Sequence, residues 1–394
     1  MSYRWVKWSR GYRRRKLLKH QQLTSITCEN SDVLRDAVAS GHGVLLAPNH
    51  SAHYDSQALY VAADRLDIPL YYLTAWQVFF MSTAFECTLM QRIGAFSIDR
   101  ESTDRRAFKQ SIEILQGAPY PLVIFPEGDI YHTTDVVSPF REGAAAIALT
   151  AAKKADRPMV VIPCGIKFFY VDDPMEKLHA ITSELEARLF LRSDPNRSLV
   201  DRIHRLAESA LALKELDYLG FTRSGRLRDR VVQLTDEVLR ELETRHGVEA
   251  DDGSPPERVK VLRQKVIQEL ERDEDALPTT SEEYRRLTAE MGDLFLATQL
   301  YSYRGDYLAD DPSIERLAET LDKFEEDILE RDLPSVRGSR CVKIRFGDAI
   351  PVAAGERRGR GAVADLTAEM QGAVQQQIDL LNADHASAPK ESSA

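Results

Sequence analysis

The chain has no run of about 18 consecutive apolar residues, the length needed to cross a bilayer as a helix, so no transmembrane helix is expected. Its N-terminus lacks the apolar stretch of a secretory signal. Cysteine is scarce. Cys28, Cys87, Cys164 and Cys341 lie far apart and form no CxxC pair. That argues against a disulfide framework or zinc knuckle and for a reduced, cytosolic chain. Positive charge is not in excess either. A formal net charge of −10 speaks against a general nucleic-acid binder, which is usually basic. No GxSxG segment is present, so no nucleophilic serine of that kind is expected.

Acid is missing from one place in particular. The first twenty residues, MSYRWVKWSRGYRRRKLLKH, hold eight Lys and Arg and no Asp or Glu. On a helical wheel Trp5, Trp8 and Tyr12 share a side. Cations beside interfacial aromatics suit an anionic membrane surface, which predicts a peripheral protein on the inner face of a membrane. A disordered basic tail is the plainer alternative, and Gly11 weakens the helix.

With 394 residues the chain is long enough for two or three domains. Between Gly41 and Phe169 short apolar runs alternate with helical periods. Candidate strands are VLLAP (44–48), LYYLT (70–74), AFSID (95–99), PLVIF (121–125) and MVVIPCGIKF (159–168). Strands alternating with helices predict an α/β fold with a mixed sheet flanked by helices. One intervening segment, WQVFFMSTAFECTLMQRI, reads as a buried core helix, or else as the apolar wall of a substrate tunnel or a shallow membrane contact. In α/β sheets, sites gather at the carboxyl ends of strands. His50, Arg100 and Glu127 each follow a candidate strand.

From 171 to 337 the pattern becomes charged and helical. Ile203, Leu206, Ala210 and Leu213 form one apolar stripe. Others run Leu227–Val231–Leu234–Val238, Tyr284–Leu287–Met291–Leu294 and Ile314–Leu317–Leu321–Phe324–Ile328. Such stripes predict a helical bundle; a partner-binding or membrane-facing surface is the alternative. No strict repeat stands out. DDGSPP (251–256) marks a break, and Thr280 with Glu283 suggests a capping box. CVKIRFGDAIPV (341–352) then reads as a strand again, followed by a helix. The expected organisation is a basic segment at 1–22, an α/β domain at 23–170 plus 338–385, an inserted helical module at 171–337, and a disordered tail at 386–394.

The stretch APNHSAHYDS (47–56) places His50, His53 and Asp55 at the end of a strand. Three readings compete. As a metal site, HxxHxD lacks a third or fourth ligand at a recognisable spacing, His132 being the nearest other candidate. As a structural element, Asp55 caps the helix that follows. As a catalytic pair, the loop curls so that Asp55 fixes the tautomer of His50 and leaves its other nitrogen as a base.

Asn49-His50-x4-Asp55 resembles the NHx4D block of the glycerolipid acyltransferases, the 1-acylglycerol-3-phosphate acyltransferase family. GAFSIDR (94–100) is similar to the second block of that family, FPEG (125–128) to the third, and VIPCGI (161–166), centred on Pro163, to the fourth. The blocks stand in family order. PFREGAAAIAL (139–149) resembles the basic segment that follows the third block, with Arg141 in place of the common Lys. The resemblance implies acyl transfer from acyl-CoA or acyl carrier protein to a lysophospholipid hydroxyl, with no cofactor and no metal. It implies His50 as general base and Asp55 as its orienting partner. It places Arg100, Glu127, Gly128 and Arg141 at the acceptor, with Asn49, Gly94, Phe125, Pro126 and Pro163 as further motif positions. His53 falls at a variable position of the block. Two departures stand out. Asp129-Ile130 follows FPEG where the family often has a polar-basic pair, which puts a phosphate acceptor in doubt. The helical insertion is absent from the common core. A different acceptor, or a non-catalytic member acting through the helical module, are the competing functions.

Overall fold

The computed structural model describes residues 1–100, 104–249, 253–271, 281–309, 311–352 and 361–387. The chain divides into two units. The first comprises Met1–Pro174, Ile314–Glu319 and Ser335–Ala394; the second comprises Met175–Ser313 and Thr320–Pro334.

The first unit is built on a mixed sheet. VLLAP is apolar at every position and forms β2 (Gly43–Pro48), buried along its whole length. A strand without alternation has both faces covered. Val44 and Leu46 enter one core, Leu45 and Ala47 the other. The remaining strands are β1 (Leu23–Glu29), β3 (Tyr71–Ala75), β4 (Ala95–Ile98), β5 (Leu122–Val123), β6 (Met159–Tyr170), β7 (Arg340–Phe346) and β8 (Ile350–Pro351). Among the described residues their order is β1-β7-β6-β2-β5-β3-β4, with β8 on β6. Strands β6, β2, β5, β3 and β4 run parallel to one another. β7 lies between β1 and β6, parallel to the first and antiparallel to the second.

Helices cover both faces. α1 (Tyr3–His20), α2 (Ser31–Ala39), α3 (Asp55–Leu66) and α5 (Ala84–Ile93) contribute Val6, Leu34, Leu59 and Leu89 to one core. α6 (Arg105–Gly117), α7 (Gly143–Ala152) and α14 (Ala362–Ser387) contribute Leu115, Ala148 and Val374 to the other.

Three local expectations change. The N-terminal segment is no tail. It is helical from Tyr3 to His20, with Val6 and Leu17 buried, and Trp5 packs on the core. Only Trp8 and Tyr12 of the aromatic stripe face solvent. Arg10 and Arg13 pair with Asp64, and Lys16 pairs with Glu86. Second, WQVFFMSTAFECTLMQRI is not one core helix. It breaks into α4 (Trp76–Phe80) and α5, because Thr83 and Glu86 form a reciprocal capping box that starts a new helix. Third, the structure adds β1 and α2, which carry no strong period in the sequence.

The second unit is helical: α8 (Met175–Arg188), α9 (Leu199–Leu219), α10 (Leu227–His246), α11 (Pro255–Glu271) and α12 (Glu282–Ser302), with the later part of α13 (Ile314–Leu329). Its core takes Val231, Leu234, Val238, Leu262, Leu287 and Leu294. On α9 the stripe runs on through buried Leu211, while Leu213 is exposed. Thr280 lies outside the described residues; the side chain of Ser281 caps α12 instead. The apolar stripes show no strict repeat, but buried charge does recur. Glu186–Arg202, Glu215–Arg230 and Glu243–Arg258 each join consecutive helices, their partners 16, 15 and 15 residues apart. Successive pairs follow at about 28 residues, one helix and its loop per step. Among the described residues, no helix is long and apolar enough to cross a membrane.

Candidate active site

β2 ends at Pro48 and α3 begins at Asp55. The turn between them is fixed from both ends. Asn49 carries on the β2–β6 pairing with its side chain: its Nδ2 donates to the Ile166 carbonyl at 3.0 Å, and its Oδ1 accepts the Ile166 N–H at 2.7 Å. Asp55 is fully buried. Its Oδ2 accepts the N–H groups of Ser51 and Ala52 at 2.7 and 2.8 Å. The same oxygen faces His50 Nδ1 at 3.2 Å. Asp55 therefore does two jobs. It closes the turn as a helix-start residue, and it selects the tautomer with the proton on Nδ1. Nε2 is left as the basic nitrogen. The imidazole packs on Phe125, ring centroids 4.2 Å apart, and its side chain is 20% exposed. A base held on one side and open on the other can accept a proton from a bound hydroxyl.

His53 does not join this pair. Its ring lies 5.8 Å from that of His132. Asp55 is committed to His50 and two backbone N–H groups, so HxxHxD does not converge as a ligand set.

Glu127 follows β5, the neighbour of β2. It is buried, and its two oxygens accept different N–H groups: His50 at 2.5 Å and Ser138 at 3.0 Å. Glu127 is thus a clamp between the histidine turn and the loop that follows FPEG. Burial pushes its carboxyl up to about 8, against the pull of those two N–H donors and with the nearby Asp55 charge adding to the rise.

Gly128 has φ +77°, and a Cβ there would stand 2.5 Å from Arg141 Nε. Only glycine fits this left-handed position against the guanidinium. Arg100 reaches the same residue from the end of β4 and donates to the Gly128 carbonyl. Arg100 also lies 3.6 Å from Asp129. The two arginines therefore meet at Gly128, next to the residue that holds His50.

The loop from Pro126 to Arg141 closes on itself, Arg141 N–H donating to the Pro126 carbonyl at 2.8 Å. Its ends are close and its body is buried, the form of an Ω-loop. Asp135 anchors the middle. It accepts from Lys167, from Asn382 at 2.9 Å and from Arg316 at 2.7 Å. Gln371 and Gln375 of α14 accept the Phe140 and Val137 N–H groups. Thr134 donates to Glu319. Burial pulls the Asp135 carboxyl upward, but the Lys167 charge and its hydrogen bonds hold it below the usual range. Sequence reasoning missed these supports. The signal was a run of polar residues, Thr133 to Asp135, too rich in buried groups for an ordinary surface turn.

The remaining motif residues are structural. Gly94 ends α5 at φ +117°, where a Cβ would meet the Leu70 carbonyl at 2.6 Å. Pro163 lies within β6 opposite Ala47 of β2, and its carbonyl accepts the Gly347 N–H at 2.8 Å. Pro126 and Phe125 supply carbonyls to the Ω-loop and to the FPEG turn.

No curated protein matches the chain. Residues 25–167 match the family model described as Acyltransferase. That stretch contains most of β1, all of β2 to β5, most of β6, the His50–Asp55 turn and the whole Ω-loop, and over it the chain is similar to the acyltransferase family.

Proposed function

We propose that this protein moves a fatty acyl group from a thioester, acyl-CoA or acyl carrier protein, to the free hydroxyl of a lysophospholipid, with 1-acylglycerol-3-phosphate the first acceptor to test. The observation that carries the reading is the His50 Nδ1–Asp55 Oδ2 contact at 3.2 Å in a turn built to hold it. His50 Nε2 takes the hydroxyl proton as the oxygen attacks the thioester carbonyl. The tetrahedral intermediate collapses by breaking the C–S bond. The thiolate leaves with the proton that His50 carried. Such a base supplies roughly 10²–10⁴ in rate, and the positioning of both substrates supplies more.

Arg100 and Arg141 at Gly128 support a phosphate-bearing acceptor, since guanidinium groups grip phosphate in two-point fashion. One observation favours a second reading. Asp129 stands 3.6 Å from Arg100 and offsets part of its charge, which favours an acceptor whose polar group is less anionic.

Purified protein given mixed lyso-acceptors and an acyl thioester, with products read by mass spectrometry, tests both readings. His50→Ala should remove transfer while leaving the fold intact. Retention of activity within tenfold, about 1.4 kcal/mol, would sink the base assignment. Transfer only to phosphate-free acceptors would keep the chemistry and select the second reading.

A further inference from the structure

Two features of the first unit remain outside the chemistry at His50. The first is apolar. α4 buries none of its residues. Phe80 is 81% exposed, Met81 76% and Phe85 53%, with Trp76 and Val78 also open to solvent. Large apolar side chains clustered this way on a soluble surface mark an interaction site. α4 follows directly from β3, at the carboxyl end of the parallel strands, the same end that carries His50 after β2 and Glu127 after β5.

The second is cationic. α1 lies antiparallel along α5. Ser2 N–H bonds the Arg92 carbonyl at 2.7 Å at one end, and Lys16 pairs with Glu86 at 2.9 Å at the other. Glu86 is next to Phe85, so α1 delivers its C-terminal half to the apolar ridge. The inward cations Arg10, Arg13 and Lys16 are spent on carboxylates of the unit. The outward ones, Arg4, Lys7, Arg14, Arg15 and Lys19, are exposed. Trp8 and Tyr12 stand among them. No acid occurs in the chain before Glu29.

We infer that the α4–α5 ridge and the outer face of α1 form one docking surface for an anionic lipid bilayer, the ridge entering the acyl region and α1 lying on the headgroups. The charge fits phosphate headgroups. The aromatic and methionine tips fit the boundary below them, where cations and apolar groups are needed at different depths of one surface. An acidic protein partner would match the cations but leave the ridge unexplained.

The test uses the full chain and vesicles of phosphatidylcholine, alone or with phosphatidylglycerol. The wild type should co-sediment with the anionic vesicles and far less with the neutral ones. Phe80→Ser/Met81→Ser/Phe85→Ser should weaken binding at least about tenfold. Arg4→Gln/Arg14→Gln/Arg15→Gln should erase the preference for anionic vesicles, as should salt near ~0.5 M in the wild type. All replaced side chains are exposed, and an unchanged thermal midpoint and circular dichroism spectrum verify the folds. Both variants should turn over a water-soluble short-chain thioester and acceptor as the wild type does. The proposal is overturned if the wild type ignores both vesicles, or binds an acidic carrier protein through these residues instead. It also falls if the serine variant binds vesicles normally, or if it loses turnover of soluble substrates, which would make the ridge a substrate wall. Loss of turnover in His50→Ala bears on the chemistry alone and leaves vesicle binding untouched.

Discussion

At the scale of single residues, the site depends on two buried carboxylates, each accepting two backbone N–H groups. Asp55 Oδ2 accepts two backbone N–H groups and faces His50. Asp55→Asn can keep one oxygen in that position, so the turn survives while the negative charge beside the imidazole is lost. Turnover should fall roughly 10²–10⁴-fold with little change in thermal midpoint, since the base is less well oriented and its protonated form less stabilised. A parallel collapse of stability and activity would instead make Asp55 an anchor of the Ser51–Ala52 turn and nothing more. Glu127 is the other carboxylate. Its pKa rises from 4.5 to about 8 on folding. Between those values the folded state keeps a proton that the unfolded chain has released, so this group makes stability fall as pH rises through that window. Across it, stability changes by at most about 1.4 kcal/mol for a tenfold change in proton concentration. Glu127→Gln should flatten that part of the stability–pH curve. It should also cost about 1–3 kcal/mol throughout, because the amide nitrogen would face either the His50 or the Ser138 N–H, donor against donor. Thermal midpoints of both proteins from pH 5 to 8 decide it: equal slopes would show that Glu127 does not titrate there.

At the scale of elements, the Ω-loop is what brings distant sequence together. Arg100 and Arg141 both reach Gly128, one at its carbonyl and the other where a side chain would stand. Gly128→Ala should push the Arg141 guanidinium away and strain a left-handed backbone. For a phosphate-bearing acceptor its KM should rise roughly 10- to 150-fold, the range for one charge-assisted pair, with the thioester KM nearly unchanged. Arg141→Ala should match that loss, and the double variant should add little, since both remove the same contact. Independent, additive losses would separate Gly128 from Arg141. This is also where the sequence is partly legible. β2 and β6 stand out because a strand covered on both faces is almost wholly apolar, half-buried β3 and β4 stand out as short apolar runs between helical periods, and the ends of the candidate strands point to His50, Arg100 and Glu127. The meeting of the two arginines at one residue is not legible, since it depends on the φ of Gly128. Nor is the anchoring of Asp135 by Lys167, Arg316 and Asn382, whose partners lie 32, 181 and 247 residues away. The motif places Glu127 at the acceptor, whereas its hydrogen bonds make it a clamp on His50. Short β5 and the weakly periodic β1 show the same limit: their strand state comes from ladder partners, not from propensity.

At the scale of the whole molecule, two units use different means to hold helices and strands together. The α/β unit relies on two apolar cores, one on each face of its sheet. The helical unit adds a buried glutamate–arginine pin between each pair of consecutive helices from α8 to α11. A fourth cluster joins α10 to α11 and α12, where buried His246 lies 3.0 Å from Glu269 and 2.8 Å from Glu290. Such pins are expected to choose register more than to add stability, because each charge loses water on burial and the pair only offsets that loss. The distinction is measurable at Arg258–Glu243, at 2.7 Å with both side chains buried. Arg258→Ala alone leaves a buried carboxylate unpaired and should cost about 3–5 kcal/mol. Arg258→Met with Glu243→Leu removes both charges at similar volume, and should restore stability to within about 1–2 kcal/mol of the wild type or exceed it. Denaturant unfolding of the three proteins gives the comparison. A double variant as unstable as Arg258→Ala would mean that the pair contributes net energy. A stable double variant with broadened, less cooperative unfolding would show that the recurring charges serve to choose one helix register, in a unit whose apolar stripes alone would admit several.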